Sequence, residues 1–172
     1  MKHFSLLAIV LFFIVSCTQV ADTGKKELDE VSKQNVELIK KWVQAHENED
    51  IETLREIYST ELVSLGPQHD QEWPYDTLNS TEEWFQSVDS IKFEVINILP
   101  KTVEEGDLAG DWVLIWANLS WYDIKSEKKM KIMWHSPMQI EEGKIVLEAA
   151  YWNQWDLFKQ MGAELKWPDK KE

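Results

Sequence analysis

The chain has 172 residues, with 18 Lys and Arg against 31 Asp and Glu, a formal net charge of −13 and a single cysteine. That balance argues against nucleic acid and against adhesion to anionic lipid, both of which reward basic surfaces. One cysteine excludes an intrachain disulfide and any metal site built on several thiolates.

The N-terminus reads as an export signal. Met1-Lys2-His3 makes a short basic start, and Phe4 to Val15 is apolar apart from Ser5. The run falls short of the about 20 apolar residues that a spanning helix needs. It ends in Ile14-Val15-Ser16-Cys17, the layout of a lipobox, in which a small residue precedes an acylated cysteine. The expectation is a signal peptide over 1–16, lipidation at Cys17 and a polar tether over 17–29. Losing Lys2 takes the basic count from 18 to 17 and the charge to −14. A lipid at Cys17 would hold the protein to a membrane without spanning it, on the periplasmic or cell-surface side. Residues 30–172 are enough for one domain with its own core.

Within that domain, Val31, Val36, Leu38, Ile39, Trp42, Val43 and Ala45 recur at mostly helical spacing and predict a helix over 30–47. Asp50 can cap a second helix, Ile51 to Tyr58. Glu61 to Leu65 alternates like a short strand and stops at Gly66-Pro67. Gln68 to Leu78 reads as a loop, in which His69, Asp70, Glu72, Trp73 and Tyr75 could form a rim or lid; His69-Asp70 alone is too little for a metal site. Ser80 and Glu83 have the spacing of a capping box for a third helix. Four strands follow, Ile91 to Leu99 ending at Pro100, then Asp111 to Tyr122, Lys128 to Ile140 and Lys144 to Trp155. A short helix, Trp155 to Met161, closes the domain. This order predicts an α+β domain with helices gathered on one antiparallel sheet.

The turn Glu141-Glu142-Gly143-Lys144 most simply sets Ile140 opposite Ile145, which places Trp134 across from Tyr151 and His135 across from Ala150. The turn near Lys125-Ser126 pairs Met130 with Trp121 and Trp134 with Ala117. One face is then nearly all apolar: Val113, Ile115, Ala117, Leu119, Trp121, Met130, Ile132, Trp134, Ser136, Met138, Leu147, Ala149, Tyr151 and Asn153. The other is mixed: Trp112, Leu114, Trp116, Asn118, Met133, His135, Glu148, Ala150 and Trp152. Two readings are open. The mixed face has the make-up of a small-molecule pocket; alternatively the apolar face packs on the helices and the mixed face is an edge or dimer patch.

Several segments in this order resemble the nuclear transport factor 2-like (SnoaL-like) family: D-I-E-x-L-x-x-x-Y-S over 50–59, the strand ending in Gly66-Pro67, the E-E-W-F helix, and E-G-K-I-V-x-x-x-A-Y-W-N over 142–153. The resemblance implies a cone, cystatin-like in architecture, in which a strongly bent antiparallel sheet wraps three N-terminal helices around a deep pocket. The closing strand is similar to that of ketosteroid isomerase, which puts Glu148, Ala150 and Trp152 on the pocket wall. By the same resemblance the mixed face lines the pocket, and the apolar face is convex and packs on a second subunit, so a homodimer is expected. The isomerase's base falls on Gly66, its helix-one tyrosine on Trp42 and its second aspartate on His135. With base and tyrosine absent, steroid isomerase chemistry is not implied.

His135 is the sharpest candidate for chemistry, because an imidazole titrates near neutrality. Glu148 lies diagonally from it in the expected register and could orient or charge it. Both are equally compatible with a structural pair that satisfies each other's polar groups. The expected ligand wall is Trp42, Trp112, Trp116, Asn118, Met133, Ala150 and Trp152. No phosphate loop, nucleophile elbow or zinc motif occurs, and no cofactor or metal is expected. The leading expectation is an anchored binding module for a small apolar or amphipathic ligand. A cofactor-independent isomerase, dehydratase or hydrolase using His135 and Glu148 is a second, and a structural envelope interaction protein a third.

Overall fold

The computed structural model describes residues 28–67, 72–73 and 77–166. Cys17, the expected signal segment and most of the expected tether lie outside the described residues, as do His69, Asp70 and Tyr75.

Helix α1 (Glu30–Glu47) is capped by Asp29, whose side chain accepts from the Ser32 amide at 2.7 Å. Its inward stripe is Ile39, Trp42, Val43 and His46, the i, i+3, i+4, i+7 pattern of a helix laid on a core. Asp50 caps α2 (Ile51–Ile57) through the Thr53 amide at 3.0 Å. The helix ends one residue before the expected boundary, because Tyr58 already has extended backbone and opens β1 (Tyr58–Leu65). Glu72–Trp73 forms a short strand, β2, on β1 rather than plain loop. Helix α3 (Thr77–Ser87) starts three residues before Ser80. Ser80 and Glu83 therefore lie inside it and cap nothing; burial of Thr77 and Leu78 draws the first turn earlier than the capping chemistry suggests.

The long strands are β3 (Val88–Val103), β4 (Gly110–Asp123) and β5 (Lys128–Glu141), followed by β6 (Lys144–Ala149), β7 (Tyr151–Trp152) and helix α4 (Gln154–Gln160). The sheet order is β2-β1-β6-β5-β4-β3, with β7 beside β5. It is mixed rather than purely antiparallel, since β1 runs parallel to β6. β3 continues through Pro100, which pairs with Val113. It is the last strand of the sheet, and a proline on an edge costs no ladder bond on its open side.

The register of β4 on β5 is as expected, with Trp121 opposite Met130 and Ala117 opposite Trp134. The β5–β6 register is not. Ile140 faces Ile145, but Gln139 faces Leu147, so Val146 is an extra residue bulged out of the ladder. Beyond it Met138 faces Glu148, Trp134 faces Trp152 and His135 faces Tyr151. A shift of one residue exchanges the two faces of a strand. Glu148, Ala150 and Trp152 therefore join Trp134 and Met138, not His135. The expected single strand over 144–155 is also broken at Ala150, whose amide leaves β5 to donate to Leu65 O at 3.0 Å. Pro137, which has no amide hydrogen to give, is next on β5 to Met138, the last partner of β6.

The apolar face is the inner one. Val113, Ile115, Ala117, Leu119, Trp121, Met130, Ile132, Trp134 and Met138 are all buried against α1 and α3 in one core. The expectation that this face is convex and the mixed face lines the pocket is thus reversed. The mixed face of β4 and β5 is the outer surface, where Met133 is 68% exposed.

Candidate functional site

Between the sheet and the helices lies a half-open cavity of about 370 Å³, at the small end of ligand pockets. Its polar end is assembled from three elements. α1 contributes Trp42 and His46, one turn apart. β1 contributes Tyr58 and Ser64, and β6 contributes Glu148, opposite Ser64 in the parallel ladder.

Glu148 is buried, and both its oxygens are engaged. Oε2 accepts from the Tyr58 hydroxyl at 2.8 Å and Oε1 from the Ser64 hydroxyl at 2.9 Å. The Tyr58 oxygen in turn accepts from Trp42 Nε1 at 2.7 Å. An indole N–H can only donate, so the hydroxyl hydrogen of Tyr58 is directed to the carboxylate. The chain of bonds runs one way, from Trp42 through Tyr58 into Glu148. Burial raises the Glu148 carboxyl above its ordinary range, against the opposing pull of the two hydroxyls. Burial and the adjacent carboxylate push the Tyr58 phenol well above its own.

His46 is held neutral. Burial lowers its pKa to about 4, despite the hydrogen bond between Nδ1 and Trp42 O at 3.0 Å. With Nδ1 donating to that carbonyl, Nε2 is left as an acceptor. Trp42 also packs on His46, with ring centroids 4.0 Å apart.

The walls are aromatic. Trp42 stacks on Trp134 at 5.4 Å, and Phe93 meets both edge-on at 5.5 and 5.6 Å. Trp84 of α3 meets Trp121 edge-on at 6.1 Å. Trp152 lines the same space, and its Nε1 is buried without an acceptor among the described residues. No cluster of His, Cys, Asp or Glu among the described residues could hold a metal ion.

Of the residues singled out from the sequence, Trp42, Glu148, Ala150 and Trp152 line this cavity. His135, Trp112, Trp116, Asn118 and Met133 do not. His135 stacks between Trp116 at 4.5 Å and Tyr151 at 6.2 Å on the outer face, and its Nδ1 is bonded to Ile115 O at 2.9 Å. Trp112 donates to Leu108 O at 2.9 Å, and Asn118 donates to Glu94 at 3.2 Å. The expected pair of His135 and Glu148 does not form, because the bulge at Val146 puts the two on opposite faces.

The sequence reading missed His46, Tyr58 and Ser64 as site residues. His46 completes the stripe begun by Ile39, Trp42 and Val43, so its inward position was readable from spacing. Ser64 is in phase with Leu62 on β1. Tyr58 carried no such signal, since its direction depends on where α2 gives way to β1.

No family model matches the chain, and no curated protein matches it. Solved structures do. A protein described as a SnoaL-like polyketide cyclase from Jannaschia sp. aligns with a TM-score of 0.65 over 81% of this chain and 99% of its own, at 15% identity. The chain has the nuclear transport factor 2-like fold. A protein described as an LEH-like epoxide hydrolase of M. tuberculosis shares this fold, with a TM-score of 0.60, 15% identity, and coverage of 75% of this chain and 90% of the other. So does a protein with a ketosteroid isomerase-like fold from Catenulispora acidiphila, solved with trimethylamine, at a TM-score of 0.61 and 11% identity over 77% and 97%. At such identities the nuclear transport factor 2-like fold is what is shared; the chemistry is read from the residues in the cavity.

Proposed function

We propose that this chain is a small-molecule-binding protein, lipid-anchored through Cys17, whose cone cavity takes a small amphipathic ligand with its polar group at Glu148. The observation that carries this reading is the half-open cavity walled by six aromatic rings besides Tyr58, with one buried carboxyl group, Glu148. Apolar walls supply affinity through burial, and one fixed polar group sets orientation. Among proteins of this fold, one is solved with trimethylamine and others are described as a cyclase and an epoxide hydrolase, so a bound small molecule is in keeping with the fold. Proton transfer is the second reading. It is favoured by the raised Glu148 carboxyl beside Tyr58, and it replaces the pairing of His135 with Glu148 as the enzyme hypothesis.

A homodimer is part of the proposal, now through the outer face of the sheet, where Met133, Tyr151, Leu99 and Val63 are exposed. Native mass spectrometry of the gently purified chain tests both points. A dimer mass with a small co-purified adduct is expected. An adduct lost in Glu148→Gln places it at the site; a bare monomer removes both the ligand and the dimer.

A further inference from the structure

The cavity holds a buried carboxyl group with no cation beside it among the described residues. Glu148 is buried, and its two hydrogen-bond donors, Tyr58 and Ser64, are neutral hydroxyls. Among the described residues no Lys or Arg lines the cavity, and the histidine that does, His46, is neutral. The sole arginine of the chain, Arg55, is committed at the surface to Glu52 and Glu82. A buried carboxylate with no counter-charge is a costly arrangement, and a paired one is not. Around it stand the rings of Trp42, Trp84, Phe93, Trp121, Trp134 and Trp152. Indole faces attract organic cations, Trp most strongly, and more so where water is excluded.

From this juxtaposition of an uncompensated buried carboxylate with aromatic walls, we infer that the ligand is a small organic ammonium. The inference rests on the cavity being a ligand site and adds the class of ligand. The ammonium group sits against Glu148, supplying a charge that the described lining lacks, and its alkyl groups lie on the indoles. A hydroxyl or carbonyl oxygen on the ligand could accept from Trp152 Nε1, the one buried side-chain polar atom left without a partner among the described residues. The strongly acidic surface concentrates cations near the entrance and disfavours anionic ligands.

Calorimetric titration of the purified full chain with choline and with its neutral carbon isostere, 3,3-dimethylbutan-1-ol, tests this. The two have the same shape and hydroxyl and differ in charge. Choline is expected to bind at least about tenfold more tightly, with the difference abolished in Glu148→Gln and reduced about fivefold in Trp84→Leu. Binding of the alcohol by both variants shows that they fold and that their cavities are open. If the alcohol binds as tightly as choline to the unaltered protein, the ammonium inference is overturned while the ligand cavity stands. If neither binds, both are overturned.

Discussion

Burying an imidazole away from water couples folding to proton uptake. An unfolded His46 titrates near 6.5, while the folded one refuses a proton until about pH 4. Its contribution to stability is therefore complete above pH 6.5 and is lost as pH falls toward 4, by up to about 3 kcal/mol. Glu148 acts in the opposite sense. Its folded pKa is raised, so its contribution is present at acid pH and is lost as pH rises through that value. The two effects oppose each other in mildly acid solution. Urea unfolding at pH 7 and pH 5 should show a steeper acid loss for Glu148→Gln than for the parent chain, and a shallower one for His46→Gln. Equal slopes in all three would mean that neither group is buried as described. Tyr58→Phe strips a donor from Glu148 and an acceptor from Trp42 at once, and should cost about 1–3 kcal/mol; removing the indole donor as well, in Trp42→Phe with Tyr58→Phe, should cost less than the sum of the two. The inward placement of His46 was legible from its helical spacing. The role of Tyr58 was not, because a residue at a helix–strand junction belongs to neither periodicity.

At the scale of elements, the site depends on one extra residue. The helical stripe of α1, the cap at Asp50 and the β4–β5 register were all readable, since each follows from a period or a turn. The bulge at Val146 was not. The segment Ile145 to Ala150 is apolar enough to satisfy either phase, so composition carried no trace of the slip that turns Glu148, Ala150 and Trp152 inward. Deleting Val146 should close the bulge and leave the other pairs in place, Gln139 with Leu147, Met138 with Glu148 and Trp134 with Trp152, so that Glu148 and Trp152 stay inward. The expected result is unchanged tryptophan emission and a retained co-purified adduct, whereas one alanine inserted between Leu147 and Glu148, which sets Glu148 opposite Pro137, should red-shift the emission and lose the adduct. A red-shifted spectrum in the deletion would show that the bulge itself, rather than the pairing beyond it, holds Glu148 inward.

For the whole molecule, the order of segments made the cone legible, and the resemblance correctly gave the fold. Which face lines the cone was not legible. Both faces of the sheet carry large aromatics, and only the bulge decides which side holds the carboxylate. The net charge of −13 is a property of the entire surface, and it bears on ligand capture more than on the fold. Association of choline, followed by tryptophan fluorescence in stopped flow, should slow as salt is raised from about 10 to 150 mM, where the Debye length falls to ~8 Å. Association of the neutral alcohol should be indifferent to it.

Pro100 has a meaning beyond the length of β3. The open side of this strand is a row of backbone groups awaiting a partner, and a second copy of the chain is the most abundant partner at hand. A proline in that row deletes one of the hydrogens a stranger strand would need. At this position the residue acts as a guard against fibrous self-assembly, a hazard that would grow if the chain were crowded on a membrane surface.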